Sequence, residues 1–194
     1  GWLQSGATRI AVDRELHAHA ESVPPQQLYT SWNADTLAVA WSGADWDFDG
    51  DLFVYLDTGA GGATTLYDPY ATGGALALPA TFAADWLVWV QDSATATLLR
   101  WNGSAWSVER SLAAPNFQFS APDTDLRLPF AWLGLTPAAA LKLLAVASND
   151  DALSLWAAAP NKNPLNSPRV VSPVAQSQDL RTYALTQFVQ FPAL

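Results

Sequence analysis

Apolar and polar residues alternate along much of this chain with a period of two, the spacing of a strand that buries one face. Residues 27–32 and 36–41 flank the polar turn Asn33-Ala34-Asp35, and in the second run Leu37, Val39 and Trp41 alternate with Thr36, Ala38 and Ala40. Two such runs around a short polar turn predict a hairpin. Residues 52–56 are apolar and β-prone, and they end at Asp57-Thr58-Gly59 before a glycine-rich turn over 59–62. Residues 85–91 put Trp86, Val88 and Val90 on one face and Leu87 and Trp89 on the other. Apolar residues on both faces predict a central strand covered on two sides.

A second hairpin is predicted where residues 95–101 and 106–110 flank Asn102-Gly103-Ser104-Ala105. Asn-Gly is the strongest short hairpin signal, because both residues tolerate positive φ. Phe117 with Phe119, and Leu126 with Leu128, continue the alternation, and residues 141–147 and 152–158 are strand candidates around the polar turn 148–151. Residues 160–173 hold four of the 13 Pro and predict a long irregular connection, and 183–191 predicts a closing strand. The main helix candidate is 137–144, with Thr136 as N-cap and Pro137 in the first turn, in competition with the strand over 141–147; residues 15–20 form a weaker second one. Nine to eleven short strands with turns between them and at most one or two short helices predict an all-β antiparallel sandwich, jelly-roll-like. At 194 residues the chain suits a single domain, 1–194, with a core that needs no staples.

Composition narrows the function classes. Half of the residues are apolar and 14% are charged, which argues against disorder. The absence of Cys excludes disulfides, thiolate metal sites and cysteine nucleophiles. The longest apolar stretches, 75–90 and 128–147, are broken by Pro79 and Asp85 and by Pro129, Pro137 and Lys142, so neither predicts a membrane span. Gly1 in place of Met points to a processed product or a piece of a longer protein. A net charge of −9 argues against nucleic acid as a partner.

The charge is uneven. Residues 15–99 hold eleven acids and no Lys or Arg, a local −11, and the remainder is +2. Five of the eleven lie within 45–57. Asp45-Trp46-Asp47-Phe48-Asp49-Gly50-Asp51 reads D-x-D-x-D-G-D. Ca²⁺ takes six to eight oxygen ligands, and alternate carboxylates in a tight loop with Gly at the sixth position can converge on it. The twelfth position is Leu56 instead of Glu and a strand follows, so this is not an EF-hand. The segment predicts a structural Ca²⁺ site at Asp45, Asp47, Asp49 and Asp51, with Asp57 as a later ligand; the alternative is a solvated acidic strand end. If the segment is extended, Trp46 and Phe48 point away from the acids and anchor it in the core. His17 and His19 would share a strand face with Asp13, Glu15 and Glu21, either as a metal pair or as a polar sheet edge.

Ten Trp are many for one domain. Most belong in a core, but exposed Trp and Tyr also stack on sugar rings. Two candidate platforms are Trp101 with Trp106, and Tyr67 with Tyr70 in Tyr67-Asp68-Pro69-Tyr70. With two His and no nucleotide fingerprint, no Ser/His/Asp arrangement assembles; a carboxylate pair for glycoside cleavage stays open despite only three Glu, and a non-catalytic role is expected.

Several segments resemble the family 9 carbohydrate-binding-module-like sandwiches, with the DOMON-type domains and the glucodextranase C-terminal domain among their relatives. They are Leu28-Tyr29-Thr30-Ser31-Trp32, then 35–41, then Gly50-Asp51-Leu52-Phe53-Val54-Tyr55-Leu56-Asp57-Thr58, and Leu126-Arg127-Leu128-Pro129-Phe130-Ala131-Trp132-Leu133-Gly134-Leu135 before the strand over 141–148. The resemblance spans residues 28–151 in order. It implies a jelly-roll-like β-sandwich, often calcium-stabilised, in a larger secreted or cell-surface protein; some relatives bind sugars, some bind haem and many have no known ligand. Together with the Trp content and the acidic loop it makes a calcium-stabilised module binding a polysaccharide or cell-surface glycan the leading expectation. A structural module of a surface layer, filament or adhesin, self-associating through edge strands such as 183–191, is the alternative. An accessory domain of a glycoside hydrolase is a third.

Overall fold

A computed structural model describes residues 8–13, 26–73, 76–136, 139–149, 154–160, 163–165 and 184–191. His17, His19 and the helix candidate at 15–20 lie outside the described residues, as does most of 160–173.

Two antiparallel sheets pack as a sandwich. The smaller is built from β1 (Thr8–Asp13), β2 (Gln26–Trp32), β3 (Thr36–Ser42), β8 (Phe117–Ser120) and β9 (Asp123–Pro129), in the order β1-β2-β3-β9-β8. The larger contains β4 (Asp51–Asp57), β5 (Trp86–Val90), β6 (Ala96–Trp101), β7 (Trp106–Leu112), β10 (Leu141–Ser148), β11 (Leu155–Ala159) and β12 (Val189–Phe191). Its order is β11-β10-β4-β5-β6-β7, with β12 on the edge of β10 beside Leu141–Leu143. The chain passes between the sheets through two one-turn helices, α1 (Trp46–Asp49) and α2 (Phe130–Leu133). Among the described residues no helix is long and apolar enough to cross a membrane.

Both predicted hairpins form. Asn33 Oδ1 accepts from the Asp35 and Thr36 amides, and Asn102 Oδ1 accepts from Ser104 and Ala105, so each turn is an Asn side chain standing in for a backbone acceptor. β5 is central, as its sequence predicts, and buried on both faces except at Trp89; every residue of β4 is buried as well.

Three expectations change. The helix over 137–144 does not form from Leu141 onward. There β10 pairs with β4 along one edge and with β11 and β12 along the other, and this pairing outweighs local propensity. The closing strand over 183–191 contracts to β12, with a separate bridge from Ala184 to Ala77. The 45–51 segment is not extended: it makes the α1 turn, which buries Trp46 and leaves Phe48 83% exposed.

The register assigns the two faces of the large sheet. Leu52, Val54 and Leu56 share one face with Val90, Val88 and Trp86, and with Ala96 and Leu98. This inner face meets the small sheet through Leu28, Leu37, Val39, Trp41, Leu126 and Leu128. Phe53, Tyr55, Leu87, Trp89, Leu99 and Trp106 point the other way. That outer face is partly roofed by the β4–β5 connection, residues 58–85, which bridges itself at Ala63–Ala84 and Thr65–Ala77. Gly62 permits the first closure: at φ +94 to +118 the backbone of Gly61 and Gly62 suits Gly, and a Cβ on Gly62 would stand 2.4 Å from the Ala83 carbonyl oxygen.

Candidate functional site

The acidic segment is organised by α1. Asp45 is its N-cap, accepting on Oδ1 from the Asp47 amide at 3.2 Å, and the Asp45 amide donates to Asp49 Oδ2 at 2.9 Å. Asp47 Oδ1 accepts from the Ser93 amide at 3.0 Å. Two tryptophans pin the turn from beneath. Trp46 Nε1 donates to Thr124 Oγ1 at 2.7 Å, and Trp156 Nε1 donates to the Asp49 carbonyl at 2.8 Å. Gly50 makes the predicted bend at φ +94, pressed so close to the Ser148 carbonyl that a side chain has no room. Asp51, 1% exposed, accepts on Oδ2 from the Tyr70 hydroxyl at 2.8 Å. Among the described residues no three His, Cys, Asp or Glu side chains gather as a metal-ligating group.

Asp57 does not join this turn. It stands at the opposite end of β4 from Asp51, about 20 Å away at the rise of a strand. There Asp57 Oδ2 accepts from Lys142 Nζ at 2.9 Å and from the Ala83 amide at 3.2 Å. Lys142 also donates to the Thr81 carbonyl at 2.6 Å and lies over the Phe188 ring. This ion pair ties the roof to the sheet.

The two aromatic platforms read from the sequence come together as one band on the outer face. Trp101 and Trp106 face each other across the β6–β7 hairpin with ring centroids 5.6 Å apart, tilted by 68°. Tyr67 packs edge-on against Trp106 at 6.3 Å and against Trp89 at 5.6 Å. Tyr70 packs edge-on against Trp89 at 6.1 Å, and its hydroxyl reaches Asp51. Trp89 in turn stacks on Phe53. Trp89, Trp101, Trp106 and Tyr67 are half-buried and Tyr70 is 43% exposed. The rings are inclined to one another, so the band is a ridged track and not a flat plate. Beneath it the Tyr55 hydroxyl accepts from the Tyr67 amide at 2.8 Å, and burial pushes the Tyr55 phenol far above its usual range. Burial, then Asp68, also raises the Tyr67 phenol, so both hydroxyls stay neutral. The Asp68 carboxyl would be raised by burial, but bonds from Thr72, Gly73 and Tyr70 outweigh this and hold it below the usual carboxylate range. That Asx-type turn fixes the loop carrying both tyrosines.

Sequence reasoning places Trp89 on a covered strand and does not include it in a platform. Its signal is the pair Trp86 and Trp89 within five residues on opposite faces of one strand: Trp86 is core, while Trp89 sits where the roof ends. The other core tryptophans are Trp41, Trp46 and Trp156.

Next to the band, at the end of the sandwich, is a cleft of about 470 Å³. Trp101 belongs to both. Asp85 and Arg100 are its charged side chains, and Gly59–Gly62, Gly103 and Gly134 form much of its wall. Asp85 is held by its own backbone: its amide donates to the Leu56 carbonyl and its carbonyl accepts from Trp101, both at 2.9 Å. Its Oδ2 accepts from the Thr58 amide at 2.9 Å and the Thr58 hydroxyl at 3.3 Å. Burial, opposed by the Thr58 bonds and aided by Asp57, raises the Asp85 carboxyl above its usual value. The Arg100 guanidinium rests 5.2 Å from the Trp86 ring centroid.

No protein-family model, curated protein or solved structure matches this chain.

Proposed function

We propose that this protein is a non-catalytic carbohydrate-binding module of β-sandwich fold, working at the cell surface or outside the cell. One observation carries the reading: five partly exposed aromatic side chains, Tyr70, Trp89, Tyr67, Trp106 and Trp101, run in contact along the outer face of the large sheet. Aromatic rings take the apolar faces of sugar rings, while flanking polar groups take the hydroxyls. A rigid sheet presenting such rings loses little side-chain entropy on binding. The resemblance of residues 28–151 to carbohydrate-binding sandwiches supports the same reading. Affinity electrophoresis through gels of cellulose derivatives, xylan, mannan, starch and soluble chitin derivatives tests it. Retardation in at least one gel is expected, and uniform mobility in all of them overturns the reading.

A structural Ca²⁺ at Asp45, Asp47, Asp49 and Asp51 is a separate proposal, favoured by the D-x-D-x-D-G-D spacing and by the one-turn α1 that carries Asp45, Asp47 and Asp49. Such binding would exchange some of the turn's hydrogen bonds for ion contacts, and it raises stability by mass action. Melting in Ca²⁺ against chelator checks it: a higher melting temperature in Ca²⁺ supports the site, and superposed curves remove it.

The assembly reading is favoured by one different feature. Among the described residues β7 is the last strand of its sheet, with Val108 67% exposed. Size-exclusion chromatography across a hundredfold concentration range separates the readings: a binding module stays one species, and an assembly module shifts to larger ones.

A further inference from the structure

We propose that the cleft beside Trp101 is a second binding subsite, taking one uncharged pyranose-sized ring of a glycan whose other units lie along the aromatic band. This rests on the carbohydrate reading and adds a location and a ligand chemistry to it. The cleft, about 470 Å³, lies in the lower half of the size range of small-ligand pockets. Its polar groups are of both kinds. Asp85 is an acceptor whose backbone is held on both sides and whose Oδ2 is fixed by Thr58, and Arg100 is a donor held on the Trp86 ring. A carboxylate with a guanidinium suits vicinal hydroxyls, which donate and accept at once. The same pair disfavours charged ligands, since an anion meets Asp85, with Asp57 behind it, and a cation meets Arg100. Trp101 lines the cleft and continues into the band through Trp106.

The wall leaves room for a ligand. A Cβ built on Gly59, Gly61, Gly103 or Gly134 meets no atom within 4 Å, so these positions open onto space and are not packed against neighbouring backbone. This contrasts with Gly62 in the same loop, which is tight against Ala83. Gly59 is also outside the positive-φ region, so it accepts a side chain without backbone strain.

The test is calorimetric titration of cellohexaose, xylohexaose, mannohexaose, maltohexaose and chitohexaose into five proteins: wild type, Gly59→Leu, Arg100→Ala, Asp85→Asn and Trp106→Ala. Gly59→Leu fills the cleft and Arg100→Ala removes its donor. Each is expected to weaken the responding sugar at least tenfold while the melting temperature stays within a few degrees. Asp85→Asn keeps an acceptor for Thr58 and is expected to weaken binding severalfold, which guards against a folding defect in the other two. If Trp106→Ala abolishes binding and the cleft variants stay within twofold of wild type, the cleft subsite is overturned and the band stands. If the cleft variants lose binding and Trp106→Ala does not, the band reading fails and the cleft stands alone. A wild type that binds none of the five sugars overturns both.

Discussion

Over β10 and β4 the outer face of the large sheet carries Phe53, Leu144 and Val146, all buried, beneath a roof that includes Leu66, Leu76, Leu78 and Phe82. Over β5–β7 the same face carries Trp89, Thr97, Trp106 and Val108, and solvent reaches all four. The sheet is continuous and the register unbroken from β10 to β6, so backbone geometry does not separate the two halves. The separation comes from where the 58–85 connection stops. The roofed half buries its side chains completely, Phe53 and Tyr55 included, because it is a second core. The open half carries large amphipathic rings that remain tolerable at a water boundary. Large rings left partly bare beside a completed core are the feature on which the proposed sugar-binding face rests.

The difference can be broken from either side. Phe82→Ala removes a side chain 1% exposed that packs on Phe188, and should destabilise by about 3–5 kcal/mol. A denaturant melt checks this, and a loss under about 1 kcal/mol would mean the roof is not core. Lys142→Met strands Asp57 beneath the roof. Because the Lys142 side chain is 28% exposed, the loss should fall at or below the low end of a broken buried pair, about 3 kcal/mol. Asp45→Ala removes the α1 cap and should cost about 1 kcal/mol, with sugar binding unchanged.

The smallest effect concerns Asp85. Its carboxyl is raised in the fold, so its charged form opposes folding. Its stabilising contribution is present in acid and is lost as pH rises through the folded value. Asp85→Asn should therefore gain slightly in melting temperature relative to wild type at neutral pH, and the two should converge as pH falls below the ordinary carboxylate range. A constant difference across pH would sink the assignment.

How legible this was in the sequence varied with how local the information is. The Asn33 and Asn102 turns were readable because their geometry is set within four residues. The face pattern of β5 was readable because period two survives full burial. The roof was not: residues 58–85 have no period, and their apolar residues are placed by the sheet beneath them. The strand over Leu141–Ser148 was read only in competition with a helix over 137–144, since the partners that decide it come from residues 51–57, 155–159 and 189–191. The D-x-D-x-D-G-D spacing correctly marked a turn with a bend at Gly50. It did not separate Asp57, which a straight strand carries to the far end of the sheet. Tyr67, Tyr70, Trp101 and Trp106 were each visible as candidates. That they form one band was not, because the Tyr67–Trp106 contact that joins the two pairs is a long-range one, and Trp89, which bridges Tyr67 and Tyr70, sits on a strand that reads as covered.

The most direct test compares wild type with Trp106→Ala on the polysaccharide that retards the wild type most, with matched melting curves. Trp106 is half-buried, so its removal should cost well under the 3–5 kcal/mol of a core aromatic. The account predicts that Trp106→Ala stays folded and migrates as if no polysaccharide were present. Retention equal to wild type by a folded Trp106→Ala protein would contradict it.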